Sequence, residues 1–243
     1  WLQIYCATLQ EIYDTVVQAF YIAERTDIPT MVCFDGFTLS HCTMAFEVPD
    51  QDVIDRFLPP KQMDWFLDPK HPSAFSCITT APDYVAFKQQ LADDTLAAAQ
   101  VVKQANAEYA ALTGFDHGGV LETYCTEDAE VIAFAMGSLA DELRLSVDAL
   151  RDQGKKVGLL RLRLFRPFPI DEIMAVLPQG VKVAIIDKAW AYGTNGGALA
   201  QELKAGLYGR RNDVTVLDKV MGIGGIDVTW QDMASAIAEL AEL

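Results

Sequence analysis

The sequence is short of positive charge. Lysine and arginine number 19 against 34 aspartates and glutamates, a formal net charge of −15 over 243 residues. Nucleic acids and anionic membranes are recruited by basic patches, so this balance argues against both as partners. No apolar run approaches the ~20 residues of a membrane-spanning helix. The longest, Val131 to Met136, has the length of a strand. Low-complexity and collagen-like sequence are missing as well, and 51% apolar with 22% charged residues is the composition of a globular chain. Cysteines are few: Cys6, Cys33, Cys42, Cys77 and Cys125, with no C-x-x-C pair. Thiolate clusters for zinc or iron–sulfur use such close spacing. An odd count, with three of the five beside apolar or aromatic residues, predicts a reducing, cytoplasmic setting and no metal site of the chain's own. No initiator methionine, charged leader or cleavage site precedes the apolar Trp1-Leu2-Gln3-Ile4-Tyr5. That stretch reads as a piece cut from inside a domain.

What is present is an α/β pattern. Ile12, Val16, Phe20 and Ala23 predict one apolar face of a helix over 9–24. Thr30 to Phe34 reads as a fully buried parallel strand closed by a turn at Asp35-Gly36. Five prolines between residues 48 and 80 predict an extended connector rather than a packed element. Residues 83–112 hold no Gly or Pro and predict one long helix or two, stopped by Thr113-Gly114. A domain boundary is placed near residue 118. Beyond it, strands are predicted at 130–136, 157–165, 182–187 and 213–217. The helix between the first two carries its apolar face on Leu139, Leu143, Val147 and Leu150. Ser138 and Asp141 resemble a capping box, and Thr229 is the predicted N-cap of a last helix. Strand–helix alternation at this spacing predicts a mostly parallel sheet covered on both faces.

Four groups are candidates for chemistry. Asp35, Ser40 and His41 follow a strand, at the end where parallel sheets gather ligands. Adjacent side chains on a loop rarely form a nucleophile–base pair, so a simple turn is the competing explanation. Gly193-Thr194-Asn195-Gly196-Gly197 opens a helix and could hold an anion, but it lacks the nucleotide-loop order and an ordinary tight turn accounts for it. Gly222, Gly224 and Gly225, with Asp227 just after, precede a helix and permit close backbone approach to a ligand or another domain. Arg161 and Arg163 alternate along one strand. They predict a shared face, either an exposed edge defence or a contact with an acidic surface.

These segments in order resemble a family. Trp1-Leu-Gln-Ile-Tyr-Cys6, Met31-Val-Cys-Phe-Asp35-Gly-Phe-Thr-Leu-Ser40-His41 and Phe57-Leu-Pro-Pro60 are similar to the alpha subunit of 2-oxoacid:ferredoxin oxidoreductases. Glu122-Thr-Tyr-Cys-Thr-Glu-Asp-Ala-Glu130, Arg163-Leu-Phe-Arg166-Pro-Phe-Pro169 and Gly222-Ile-Gly-Gly225-Ile-Asp227-Val-Thr229 continue the likeness. The resemblance implies the end of a pyrimidine-binding α/β domain (1–50), a connector and helix (51–118), and a transketolase C-terminal-like α/β domain (119–243). It also implies thiamine diphosphate with Mg2+, coenzyme A, ferredoxin as electron acceptor, and iron–sulfur clusters held on partner subunits only. The implied partners are diphosphate-binding, gamma and ferredoxin-like subunits. It places no catalytic residue in this chain, because the glutamate that activates the thiamine ring lies in family sequence before Trp1. Ile226 stands where the family usually has arginine. Two rival readings are another thiamine enzyme, of the 2-oxoacid dehydrogenase or transketolase type, and an interaction subunit without a cofactor.

Overall fold

Short apolar runs alternating with amphipathic helices build two sheets. The computed structural model describes residues 1–63, 65–76 and 78–242, so Cys77 lies outside the described residues. The smaller sheet is centred on β1 (Leu2–Tyr5). α1 (Leu9–Thr26) starts at Thr8, whose hydroxyl accepts from the Glu11 N–H. β2 (Thr30–Cys33) then runs parallel to β1. It is partly exposed rather than fully buried, because among the described residues it is the outer strand and only β1 flanks it. The proline-rich stretch is not wholly extended. It holds α2 (Gln51–Phe57), which the prolines flank, and buried Phe57 stacks on Tyr21 and meets Tyr109 edge-on. α3 (Ala81–Thr113) is a single helix of 33 residues, capped by Thr80 and ended by Gly114 at φ 84°.

After α3 come β3 (Leu121–Tyr124), β4 (Val131–Met136), α4 (Ser138–Asp152) and β5 (Val157–Leu162). β6 (Leu164–Arg166), α5 (Ile170–Val176), β7 (Lys182–Asp187), α6 (Ala198–Leu207), β8 (Thr215–Val220) and α7 (Trp230–Ala241) complete the chain. The larger sheet has the order β3-β5-β4-β7-β8, parallel except for β3 against β5. α4 and α7 cover one face and α5 and α6 the other, so the central strand β4 reads as a continuous apolar run. Leu139, Leu143, Val147 and Leu150 face that core as their spacing predicts. Thr229 caps α7 through a capping box with Asp232. The fourth parallel strand lies two residues later than predicted, at Thr215.

Two expectations fail for one reason. The run 157–165 is not one strand: it breaks at Arg163, and β6 leaves the larger sheet to pair antiparallel with β1. Arg161 and Arg163 are therefore not an exposed edge. Arg163 is fully buried and Arg161 nearly so. Both reach Glu11 on α1, Arg161 Nη1 at 2.7 Å and Arg163 Nε at 2.8 Å. The acidic surface they meet is inside the same chain. This turns α1 over: its buried face is Glu11, Asp14, Thr15, Gln18, Tyr21 and Ile22, while Val16 and Phe20 are 44% and 59% exposed. The apolar stripe read from the sequence is the outer face. Arg163 also donates to the Gly119 carbonyl, Thr15 and Gln18, and Arg161 to Glu122 and the His117 carbonyl. Beside this network, buried Asp14 accepts from Tyr109 at 2.7 Å and lies 2.8 Å from the His117 ring. Buried charges persist only when so paired and hydrogen-bonded.

Candidate functional site

The carboxyl ends of β2, β4, β7 and β8 converge on one cleft of about 890 Å³. Its walls are Tyr5, the loop Phe34–Thr38, Met136–Leu139 with Glu142, Ile186–Ala189, and Gly222–Thr229. Of the residues singled out in the sequence, Asp35, Gly222, Gly224, Gly225 and Asp227 line it together. Ser40 and His41 do not. They sit on the loop after β2, exposed and outside the lining.

Ser40 and His41 do form the bond that sequence adjacency argued against, with Ser40 Oγ 2.7 Å from His41 Nδ1. The loop makes this possible by winding into a helical turn, where the Leu39 and Ser40 N–H groups donate to the Asp35 carbonyl. The same Ser40 hydroxyl accepts from the Phe37 N–H, and the His41 ring stacks on Phe37 at 4.6 Å. Ser40 is thus a turn-capping hydroxyl. A nucleophile needs its base oriented by a third polar group, and the face of Phe37 supplies none.

Asp35 has a definite place. Its carboxylate accepts from the Ser138 N–H at 2.7 Å and pairs with Lys188 Nζ at 3.2 Å. α4 has no side-chain cap of its own, because Gly137 occupies the N-cap position at φ 67°. The predicted Ser138–Asp141 capping box is therefore absent, and Asp35, from the other sheet, fills that role. A Cβ on Gly137 would come 2.8 Å from the Asp35 carboxylate, so this close approach needs glycine in a conformation only glycine readily adopts. Losing a helix cap costs about 1 kcal/mol. Asp35→Ala is expected to lower stability by about that amount in denaturant melts and to speed amide exchange at Ser138 and along the loop 34–39. Unchanged exchange there would show that Asp35 does not tie the two sheets together.

Asp187, at the end of β7, was not singled out by the sequence. It is buried and accepts from the Leu199 N–H at 2.8 Å, capping α6. Burial pushes its carboxyl up, opposed by donation from the Leu199, Ala200 and Lys188 amides, with nearby Asp218 adding to the rise. The glycine-rich segment before α6 is explained here. A side chain at Gly197 would collide with Asp187, and one at Gly196 with Asp218. Within this chain nothing lies within 4 Å of a Cβ added at Gly224 or Gly225. Their backbone favours glycine, at φ 70° and 80° in the turn that follows β8. A Cβ added at Gly222 would lie 3.2 Å from Val228 Cγ2.

A bound diphosphate with its metal needs helix N-termini, cations and free carboxylates. At this cleft the α4 and α6 N-termini already hold the carboxylates of Asp35 and Asp187. Among the described residues, Asp35, Glu142, Asp187 and Asp227 stand in the lining against the single cation Lys188. Among the described residues no three His, Cys, Asp or Glu side chains gather as metal ligands. These residues do not fit the diphosphate end of thiamine diphosphate. The apolar wall of Tyr5, Phe34 and Phe37 and the two capped helices make the cleft a joint between the sheets.

Comparison with known proteins agrees along the whole chain. Residues 1–107 match the family "Pyruvate flavodoxin/ferredoxin oxidoreductase, thiamine diP-bdg", and residues 129–233 match "Pyruvate:ferredoxin oxidoreductase core domain II". The pyruvate synthase subunit PorA of Methanosarcina barkeri is 36% identical over 241 residues, 98% of this chain and 60% of that protein. The ketoisovalerate oxidoreductase subunit VorA of Pyrococcus horikoshii is 35% identical over 240 residues, again 98% of this chain and 60% of that protein. The chain thus spans about 60% of the length of these curated relatives. A solved 2-oxoglutarate:ferredoxin oxidoreductase from Magnetococcus marinus superimposes with a TM-score of 0.60 at 13% identity, over 98% of this chain and 42% of that one. That likeness supports the α/β fold. With both family segments present in order and relatives above 30% identity from end to end, this chain belongs to the pyruvate:ferredoxin oxidoreductase family, among its alpha-type subunits.

Proposed function

We propose that this chain is part of the alpha subunit of a 2-oxoacid:ferredoxin oxidoreductase. Working with partner subunits, the enzyme converts a 2-oxoacid and coenzyme A to acyl-CoA, CO2 and a proton, and passes two electrons to ferredoxin. Pyruvate is the proposed acid. The observation that carries this reading is the ordered pair of family segments, 1–107 and 129–233. Thiamine diphosphate supplies the carbanion chemistry when bound, and the protein supplies position and electrostatics. The acidic lining of the cleft argues that the diphosphate and Mg2+ are held by a diphosphate-binding partner. Iron–sulfur clusters belong in this reading to gamma and ferredoxin-like partners in the cytoplasm. Within the chain, residues 1–50 act as the end of the pyrimidine-binding domain, 51–118 as connector and helix, and 119–243 as the transketolase C-terminal-like domain. Asp35, Gly222, Gly224, Gly225 and Asp227 shape the joint between them. Ser40 and His41 face outward toward the cofactor side or a subunit boundary.

The test is reconstitution. Coexpressed with diphosphate-binding and cluster-bearing partner chains, this chain is expected to yield a complex that reduces viologen dye with pyruvate, coenzyme A and thiamine diphosphate. Branched-chain, aryl and 2-oxoglutarate substrates should give lower kcat/KM. A correctly assembled complex that oxidises none of these acids overturns the reading. The chain alone is expected to be inactive and to show no micromolar heat of binding with thiamine diphosphate and Mg2+, and such binding would place the diphosphate site here after all.

A further inference from the structure

α3 is two helices in one. From Ala98 onward its inner face is buried, through Ala98, Val102, Ala105, Asn106 and Tyr109 against α1 and α2. From Ala81 to Asp94 every residue is exposed, and only Thr95 begins the transition. At 1.5 Å per residue the exposed part is an arm of roughly 21 Å. The apolar stripe does not stop where the burial stops. Tyr84, Phe87, Leu91, Thr95, Ala98, Val102, Ala105 and Tyr109 follow in steps of three and four, one continuous seam. Its outer half is uncovered: Tyr84 and Phe87 are each 55% exposed and Leu91 is 46% exposed. With Ile78, which is wholly exposed, these side chains border an open groove of about 880 Å³. Contiguous apolar surface of this kind marks an interaction site.

The sequence of the arm says what fits it. Large and small residues are arranged in mirror order about Leu91, and so are the charges. In an antiparallel pair of identical helices with a two-fold axis at Leu91, residues equally spaced before and after Leu91 face each other. Phe87 then meets Thr95 of the second copy. Leu91 meets its own counterpart. Lys88, the arm's one basic residue, meets Asp94 of the second copy, and symmetry repeats that pair. Phe87 faces the smaller Thr95, leucine packs on leucine at the axis, and the cation faces an anion. Self-complementarity of this kind is what a two-fold interface requires. We propose that the α3 arm pairs antiparallel with the α3 arm of a second copy of this chain, with Leu91 on the two-fold axis. The net charge of −15 opposes self-association at long range. At physiological ionic strength that repulsion is screened within about 8 Å, while pairs in contact survive.

The test is a charge exchange read by sedimentation velocity on the full chain, from about 1 to about 100 μM in ~0.15 M salt. The parent is expected to show a concentration-dependent monomer–dimer equilibrium. Lys88→Asp places aspartate against Asp94 twice, and Asp94→Lys places lysine against Lys88 twice. Each variant alone is expected to dimerise at least tenfold more weakly. An equimolar mixture of the two restores both ion pairs and is expected to recover parental dimerisation as a heterodimer. Leu91→Glu, which sets two carboxylates on the axis, should stay monomeric. All these positions are exposed, and circular dichroism should confirm unchanged folding. A parent that remains monomeric throughout overturns the proposal. A mixture that behaves like its separate components overturns the antiparallel register.

Discussion

Glu11→Ala is expected to destabilise the chain by about 3–5 kcal/mol, the range for removing one partner from a buried ionic cluster. The loss comes from what remains. Arg161 and Arg163 are 4% and 0% exposed, and both lose their carboxylate at once. The Ala7 N–H, which donates to Glu11 at 2.7 Å, loses its acceptor too. Arg161 retains Glu122, whereas Arg163 is left with neutral acceptors only. Denaturant titration followed by tryptophan fluorescence and far-ultraviolet circular dichroism measures the effect. A loss below about 1 kcal/mol, the scale of an exposed pair, would mean that water reaches these guanidinium groups.

The same carboxylate sets an acid limit. Burial works to raise the Glu11 pKa, but the Arg161 and Arg163 charges and the bonds from Arg161 and Ala7 hold it below its ordinary value. A carboxyl depressed on folding contributes stability that is full above the unfolded value of ~4.3 and is lost as pH falls through the folded value. The parent should therefore weaken steeply below about pH 4.3, and Glu11→Gln should show a flatter acid limb from a lower plateau. Equal slopes for the two proteins would remove Glu11 as the group responsible.

Gly158→Val is expected to cost about 3 kcal/mol or more and to leave much of the chain insoluble. Gly158 lies in β5, paired with Ile132 of β4. A Cβ there would sit 2.6 Å from the Cys125 carbonyl oxygen and 3.0 Å from the Thr126 Cα. Both obstacles are backbone, and the Cys125 carbonyl is held by Arg151 Nη2 at 2.7 Å, so neither gives way cheaply. Gly36→Ala is the contrasting variant. Nothing lies within 4 Å of its added Cβ and its φ is not positive, so it should shift stability by less than about 0.5 kcal/mol. Similar losses for the two variants would show that β5 moves to accommodate a side chain.

Parts of this protein are legible without coordinates because their causes are local. β4 and β7 are short apolar runs between turn residues, and α4 and α7 carry their buried faces at helical spacing, with Thr229 and Asp232 closing a cap within four residues. The ordered motifs that resemble the 2-oxoacid:ferredoxin oxidoreductase family are likewise in the letters, and the family matches agree with them. What sequence reading misplaces depends on residues far apart in the chain. α1 looks amphipathic with Ile12, Val16 and Phe20 inward, yet Glu11 faces inward because two arginines 150 and 152 residues later wait for it. Helical periodicity records which side chains share a face, and it cannot say that a carboxylate face is the buried one until its counter-charges are located. The run 157–165 looks like one strand because both halves are apolar, and only β1 on one side and β4 on the other divide it at Arg163. Asp35 reads as a turn residue, and it becomes a helix cap because Ser138 lies 103 positions away and 2.7 Å distant. Local propensity and pattern are short-range and were determined by the sequence alone. Register between sheets, burial of charge and the joint around the cleft are long-range, and only the tertiary structure decided them.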